Sequence, residues 1–132
     1  MQIKSGITLY KKLSPQEYLE LKNKNTNWQL VDVREPWEIE IANIPGSINI
    51  PINDVKERLI ELDPSHSIAV ICHSGIRSAK VANLLLENSF LVVANIEGGI
   101  HDWAEHLDRS ILEHCPKRHD ETKKTLYKFL ND

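Results

Sequence analysis

Cys72-His73-Ser74-Gly75-Ile76-Arg77-Ser78 is the stretch of this 132-residue chain whose residue types and spacing could do chemistry. A thiol stands five residues ahead of an arginine, with small residues between them. Ser74 and Gly75 let the chain curl tightly, because glycine tolerates positive φ. The N–H groups of residues 73–78 can then point inward as an anion-binding nest, reinforced by the N-terminus of the helix that follows. Such a field favours thiolate over thiol, and it would equally stabilise a persulfide anion or a bound oxyanion. Arg77 adds a permanent positive charge beside the sulfur. A lone cysteine at a strand end is ordinarily a small buried hydrophobe. The Ser-Gly-x-Arg-Ser context and the strand-to-helix position favour a nucleophile instead.

Elements on either side must hold that loop. Ser67 to Cys72 is nearly all apolar and bounded by turn-formers, which predicts a buried strand. The spacing of Ala79, Ala82, Leu85 and Leu86 predicts a helix over about 78–88. Gln29 to Val33 and Leu91 to Ile96 predict two further buried strands. Ile7 to Leu9 and Ile48 to Ile50 are shorter candidates. Ser14-Pro15-Gln16-Glu17 reads as an N-cap, a proline at the first helical position and a capping glutamate, opening a helix over about 15–23. Short helices are expected over 35–41 and from Asn53 or Asp54 to about Leu62. A last helix follows the Glu97-Gly98-Gly99 turn and runs through Leu107.

Strands separated by helices of about ten residues imply βαβ crossovers. The expected fold is therefore α/β: a central, mostly parallel five-stranded sheet with helices on both faces. Ligands in such folds sit at the carboxyl ends of the strands. Asp32-Val33-Arg34, Cys72 to Ser78 and Glu97-Gly98-Gly99 should then converge on one mouth.

Composition bounds the remainder. Hydrophobic residues are 41% and charged residues 27% of the chain, with a net charge of −3. That balance argues for one globular domain, without the basic surface a nucleic-acid or anionic-membrane binder needs. No apolar run is long enough to span a bilayer, and no signal core opens the chain, so a cytoplasmic location is expected. Cys72 and Cys115 stand far apart and make neither a disulfide framework nor a CxxC motif. The expected division is a domain over 1–107 and a charged C-terminal helical extension over 108–132, where Leu126, Tyr127, Phe129 and Leu130 form one apolar patch.

Four motifs occur together: Leu30-Val31-Asp32-Val33-Arg34-Glu35, Ile44-Pro45-Gly46-Ser47-Ile48-Asn49-Ile50-Pro51, Cys72 to Ser78, and Asn95-Ile96-Glu97-Gly98-Gly99-Ile100-His101-Asp102-Trp103. In order and spacing they resemble a single-domain rhodanese over roughly residues 5–107. The resemblance implies a sulfurtransferase in which Cys72 accepts the outer sulfur of thiosulfate or a persulfide donor. Cys72 then carries it as a persulfide and passes it to cyanide, a thiol or an acceptor protein. It implies that the amides of His73, Ser74, Gly75, Ile76, Arg77 and Ser78 cradle that sulfur, and that Arg77, with Arg34 as a weaker candidate, draws in a small anionic donor. No cofactor or metal is implied, because the sulfur stays on one covalent site. Phosphatases and arsenate reductases related to this scaffold use Cys-x5-Arg, whereas Cys72 to Arg77 is Cys-x4-Arg. The count favours sulfur transfer over that alternative, and the presence of both Cys72 and Arg77 favours it over a non-catalytic binding module of the same family. The positions after the cysteine are His73 and Ser74 rather than strongly basic residues, which points toward a persulfide donor over thiosulfate.

Several residues have plainer readings. Asp32 and Arg34 are expected to form an ion pair fixing strand to loop, as a support of the site. Glu38 reads as a paired or solvated carboxylate at the rim. Trp37 and Trp103 read as packing residues. His114, Cys115 and His119 have only a weak metal-ligand spacing, and Cys115 reads as an ordinary thiol before a resolving one.

Overall fold

The computed structural model describes residues 9–25 and 27–108. The expected extension over 108–132, with His114, Cys115, His119 and the apolar patch, lies outside the described residues except for Asp108.

Five strands alternate with helices along the chain: β1 (Lys11–Leu13), α1 (Pro15–Lys24), β2 (Trp28–Asp32), α2 (Pro36–Ile41), β3 (Ile48–Asn49), β4 (Ser67–Ile71), α3 (Ile76–Glu87), β5 (Val93–Ile96) and α4 (Gly99–His106). They build one sheet in the order β1-β5-β4-β2-β3, with every neighbouring pair parallel. Side chains alternate across a strand, so the central strands β2, β4 and β5 each feed two cores. Leu30, Ala69, Ile71, Ala94 and Ile96 pack with Tyr18, Ile100 and Trp103 of α1 and α4. Val31, Val33, Ile68, Val70 and Val93 pack with Val81, Ala82 and Leu85 of α3. Burial on both faces is why these strands read as continuous apolar runs.

The Ser14 cap forms as the sequence predicts: its side chain accepts the Glu17 N–H while Glu17 accepts the Ser14 N–H. Two elements differ from expectation. The first strand is Lys11–Leu13; Leu9 is exposed, and residues 7 and 8 lie outside the described residues. The helix expected from Asp54 to Leu62 is replaced by two 3-10 turns, Ile52–Asp54 and Leu59–Glu61. Arg58 leaves the helical region between them, at φ −109° and ψ 16°. So short a segment gains little from helical cooperativity, and packing of Val55 and Leu62 into the core decides its path.

The parallel arrangement brings the carboxyl ends of β2, β4 and β5 to one edge, with Asp32 beside Ile71 and Val70 beside Asn95. Cys72 is the first residue beyond β4 at that edge.

Candidate active site

Cys72 is buried, with 1% of its surface exposed. Its Sγ accepts the Gly75 N–H at 3.0 Å and the Ser78 N–H at 3.4 Å, and lies 3.3 Å from the Ser78 hydroxyl. The chain turns back on the sulfur because Gly75, the residue before α3, adopts φ +107°. A side chain at that φ would be strained, so glycine is what the turn requires. The following helix directs its N-terminal N–H groups, and with them positive potential, at the sulfur.

The loop is held from its outer side. The Cys72 carbonyl accepts the Ile100 N–H at 2.8 Å, the His73 carbonyl the His101 N–H at 3.3 Å, and the Gly75 carbonyl the Asn95 side-chain amide at 3.1 Å. In a planar trans peptide the carbonyl and the following N–H point opposite ways. Pinning these three carbonyls therefore turns the N–H groups of His73, Ser74 and Ile76 to the other face of the loop. Gly99 permits the approach of α4: a Cβ there would come within 2.4 Å of the Cys72 carbonyl oxygen.

Arg77 closes the loop. Its guanidinium makes a two-point ion pair with Glu38 of α2 at 2.8 and 2.9 Å and also meets Nδ1 of His73. Arginine can only donate, so Nδ1 of His73 is the acceptor. Glu38 is buried and also accepts the Glu35 N–H, closing the first turn of α2. Burial pushes its carboxyl up. The hydrogen bonds from Arg77 and Glu35 and the charges of Arg77 and Arg34 outweigh this and hold it below its ordinary value. Arg77 is correspondingly raised, first by its hydrogen bonds to Glu38, against burial, with the charges of Glu38, Cys72 and Asp32 adding to the effect.

The seven residues Cys72 to Ser78 thus come together around one sulfur, with Ile76 largely exposed at the rim. Arg34 is placed differently. It is 1% exposed, its Nε and NH2 bond the Asp32 carboxylate at 2.8–3.1 Å, and NH2 also donates to the Ala42 carbonyl. Nε and NH2 are engaged inside the protein, in the strand-to-loop ion pair expected from the sequence, and the side chain is buried away from an incoming anion. Trp103 is packed in the core, but Trp37 is half exposed. Asn95 is the site residue that sequence reasoning missed. The signal was present as one amide in an otherwise apolar strand, buried and bonded to both Ser78 and Gly75.

Among the described residues, no group of three or more His, Cys, Asp or Glu side chains is arranged to hold a metal ion. No helix among them is long and apolar enough to cross a membrane.

A parallel α/β sheet with a cysteine loop at its carboxyl edge defines the class, and the family follows from direct comparison. The rhodanese-like domain model matches residues 14–106, and the chain belongs to that family. It is similar to YrkF of Bacillus subtilis, a candidate sulfur carrier protein, at 35% identity over 91 residues, covering 69% of this chain and 49% of YrkF. The chain therefore spans about half the length of that relative. It is 34% identical over 77 residues to a sulfurtransferase of Allochromatium vinosum, covering 58% of this chain and 72% of that one. Among solved structures, a rhodanese-related protein from Thermoplasma volcanium superposes with a TM-score of 0.67 at 34% identity, covering 74% of this chain and 94% of that one.

Proposed function

We propose that this protein is a sulfurtransferase whose carrier is a persulfide on Cys72. The observation that carries this reading is the sulfur's environment: a thiol at the mouth of the sheet, receiving the N–H groups of Gly75 and Ser78 inside a loop closed by Arg77. Names of similar proteins, one a sulfurtransferase and one a candidate sulfur carrier, support the same class of reaction.

The chemistry is two displacements at sulfur. The Cys72 thiolate attacks the outer sulfur of a donor such as thiosulfate; the donor's S–S bond breaks and sulfite departs with the electron pair. The product is Cys72-S–S⁻, a terminal anion that suits inward-facing amides. An acceptor nucleophile, cyanide or a thiol of a small molecule or protein, then attacks the outer sulfur and returns Cys72 as thiolate. Because Glu38 offsets the charge of Arg77, attraction of the donor falls mainly on the backbone amides. A persulfide donor suits such a site at least as well as thiosulfate.

The test is the intact mass of wild type and Cys72→Ser before and after incubation with thiosulfate or a low-molecular-weight persulfide. The expected result is a gain of one sulfur, about 32 Da, that a thiol removes and the variant lacks. A reduced, accessible Cys72 that gains no sulfur from either donor would overturn the reading.

A further inference from the structure

Asn95 faces two groups of the cysteine loop, the Gly75 carbonyl at 3.1 Å and the Ser78 hydroxyl. A backbone carbonyl can only accept, so the amide nitrogen of Asn95 must be the end that faces Gly75. That leaves Oδ1, a pure acceptor, facing the Ser78 hydroxyl, whose one proton must therefore point at Asn95. Ser78 Oγ also lies 3.3 Å from the Cys72 sulfur, and with its proton committed it offers the sulfur only lone pairs. Ser78 and Asn95 are both buried, so water does not readily supply substitute partners.

We propose that Asn95 is a positioning residue that orients the Ser78 hydroxyl away from the cysteine, making Ser78 an acceptor for the Cys72 S–H and favouring the resting thiol over the thiolate. The proton path is Cys72 S–H to Ser78 Oγ, and Ser78 O–H to Asn95 Oδ1. The Gly75 and Ser78 amides oppose this by donating to the sulfur. The side-chain chain and the backbone cradle thus pull the protonation equilibrium in opposite directions. The consequence for sulfur transfer, a carrier cysteine kept less reactive between turnovers, rests on the proposed function; the proton arrangement does not.

The experiment is a pH titration of the Cys72 thiolate by its ultraviolet absorbance in the full chain. Each protein is read against the same protein carrying Cys72→Ser, which subtracts Cys115 and the tyrosines. Asn95→Ala frees the Ser78 hydroxyl to donate to the thiolate, and the midpoint should fall by roughly one pH unit, as a hydrogen bond to a charged group is worth. Ser78→Ala removes the acceptor of the thiol proton, and its midpoint should also fall. Ser78→Ala with Asn95→Ala should titrate like Ser78→Ala alone, because Asn95 acts through the hydroxyl. An unchanged or raised midpoint in Asn95→Ala, or additive shifts in the double variant, overturns the proposal. Should Asn95→Ala fail to fold, Ser78→Ala decides alone: a raised midpoint would mean that Ser78 donates to the sulfur in the wild type. None of these readouts requires sulfur transfer, so failure of the proposed function would leave them intact.

Discussion

Glu38 and Arg77, 39 positions apart in sequence, meet in a two-point ion pair at 2.8 and 2.9 Å. The pair ties α2 to the first turn of α3 and so braces the cysteine loop through its closing residue. Glu38 is buried while Arg77 keeps a quarter of its side chain exposed. Its main contribution is therefore to fix the loop's closing residue in place, with the charge of Arg77 largely neutralised.

Breaking this pair from either end should cost stability unequally. Arg77→Ala leaves a buried carboxylate without its cation and should destabilise by about 3 kcal/mol, near the low end for broken buried pairs because Arg77 is partly exposed. Glu38→Gln keeps an oxygen for the Glu35 N–H and should cost about 1–2 kcal/mol. The double variant should be more stable than the sum of the two losses predicts. Urea unfolding of all four proteins measures the coupling; strict additivity would mean that the pair is not formed in solution.

The same contact sets an acid limit. Glu38 titrates below its ordinary 4.5 in the folded chain, so the unfolded chain takes up its proton first as pH falls. Its stabilisation is fully present above that ordinary value and is lost as pH drops through the lower folded one. Urea midpoints collected from about pH 6 down to about pH 3 should decline in the wild type and decline less steeply in Glu38→Gln. Parallel curves would assign the acid sensitivity to other carboxylates.

Arg34 offers a sharper division between support and donor binding. Arg34→Met strands the fully buried Asp32 carboxylate and should cost about 3–5 kcal/mol. Asp32→Asn in the same chain should recover part of that loss. The folded double variant should still load sulfur on Cys72 at close to the wild-type extent. A stable, folded variant that no longer loads would make Arg34 a donor-binding residue after all.

Gly99→Ala should act on the loop without touching any reactive side chain. Its Cβ would sit 2.4–2.5 Å from backbone atoms of Cys72 and His73, at φ +59°. Backbone on both sides cannot yield cheaply, and a loss of about 2 kcal/mol or more is expected, together with slower sulfur loading. Gly46→Ala is the control, since nothing lies within 4 Å of its Cβ and only the strain of φ +86° remains. If Gly99→Ala matched Gly46→Ala in stability and loading, the close approach of α4 would have no role in holding the loop.

Some elements were legible one by one. Ser67 to Ile71 is apolar on both sides, which only a strand covered on two faces requires, and that is how β4 is packed. Ser14 and Glu17 announced the start of α1 because a capping box depends on residues three apart. The stretch from Asp54 to Leu62 was misleading: Val55, Leu59 and Leu62 have helical spacing, yet the backbone takes two separate turns. Periodicity reports which side chains face the core, and here it did so correctly for Val55 and Leu62 without specifying the hydrogen-bonding pattern.

By itself, the sequence determined the parallel α/β framework, the place of Cys72 at its carboxyl edge and the six-residue loop from Cys72 to Arg77. All of these depend on local patterning and on spacing along one stretch of chain. Tertiary structure alone decided the partners: Glu38 for Arg77, Asn95 for Ser78 and Gly75, and the N–H groups of Ile100 and His101 for the loop carbonyls. The reason is physical. A buried donor or acceptor must be satisfied by whatever group the fold brings within about 3 Å, and no local pattern encodes which distant residue that is.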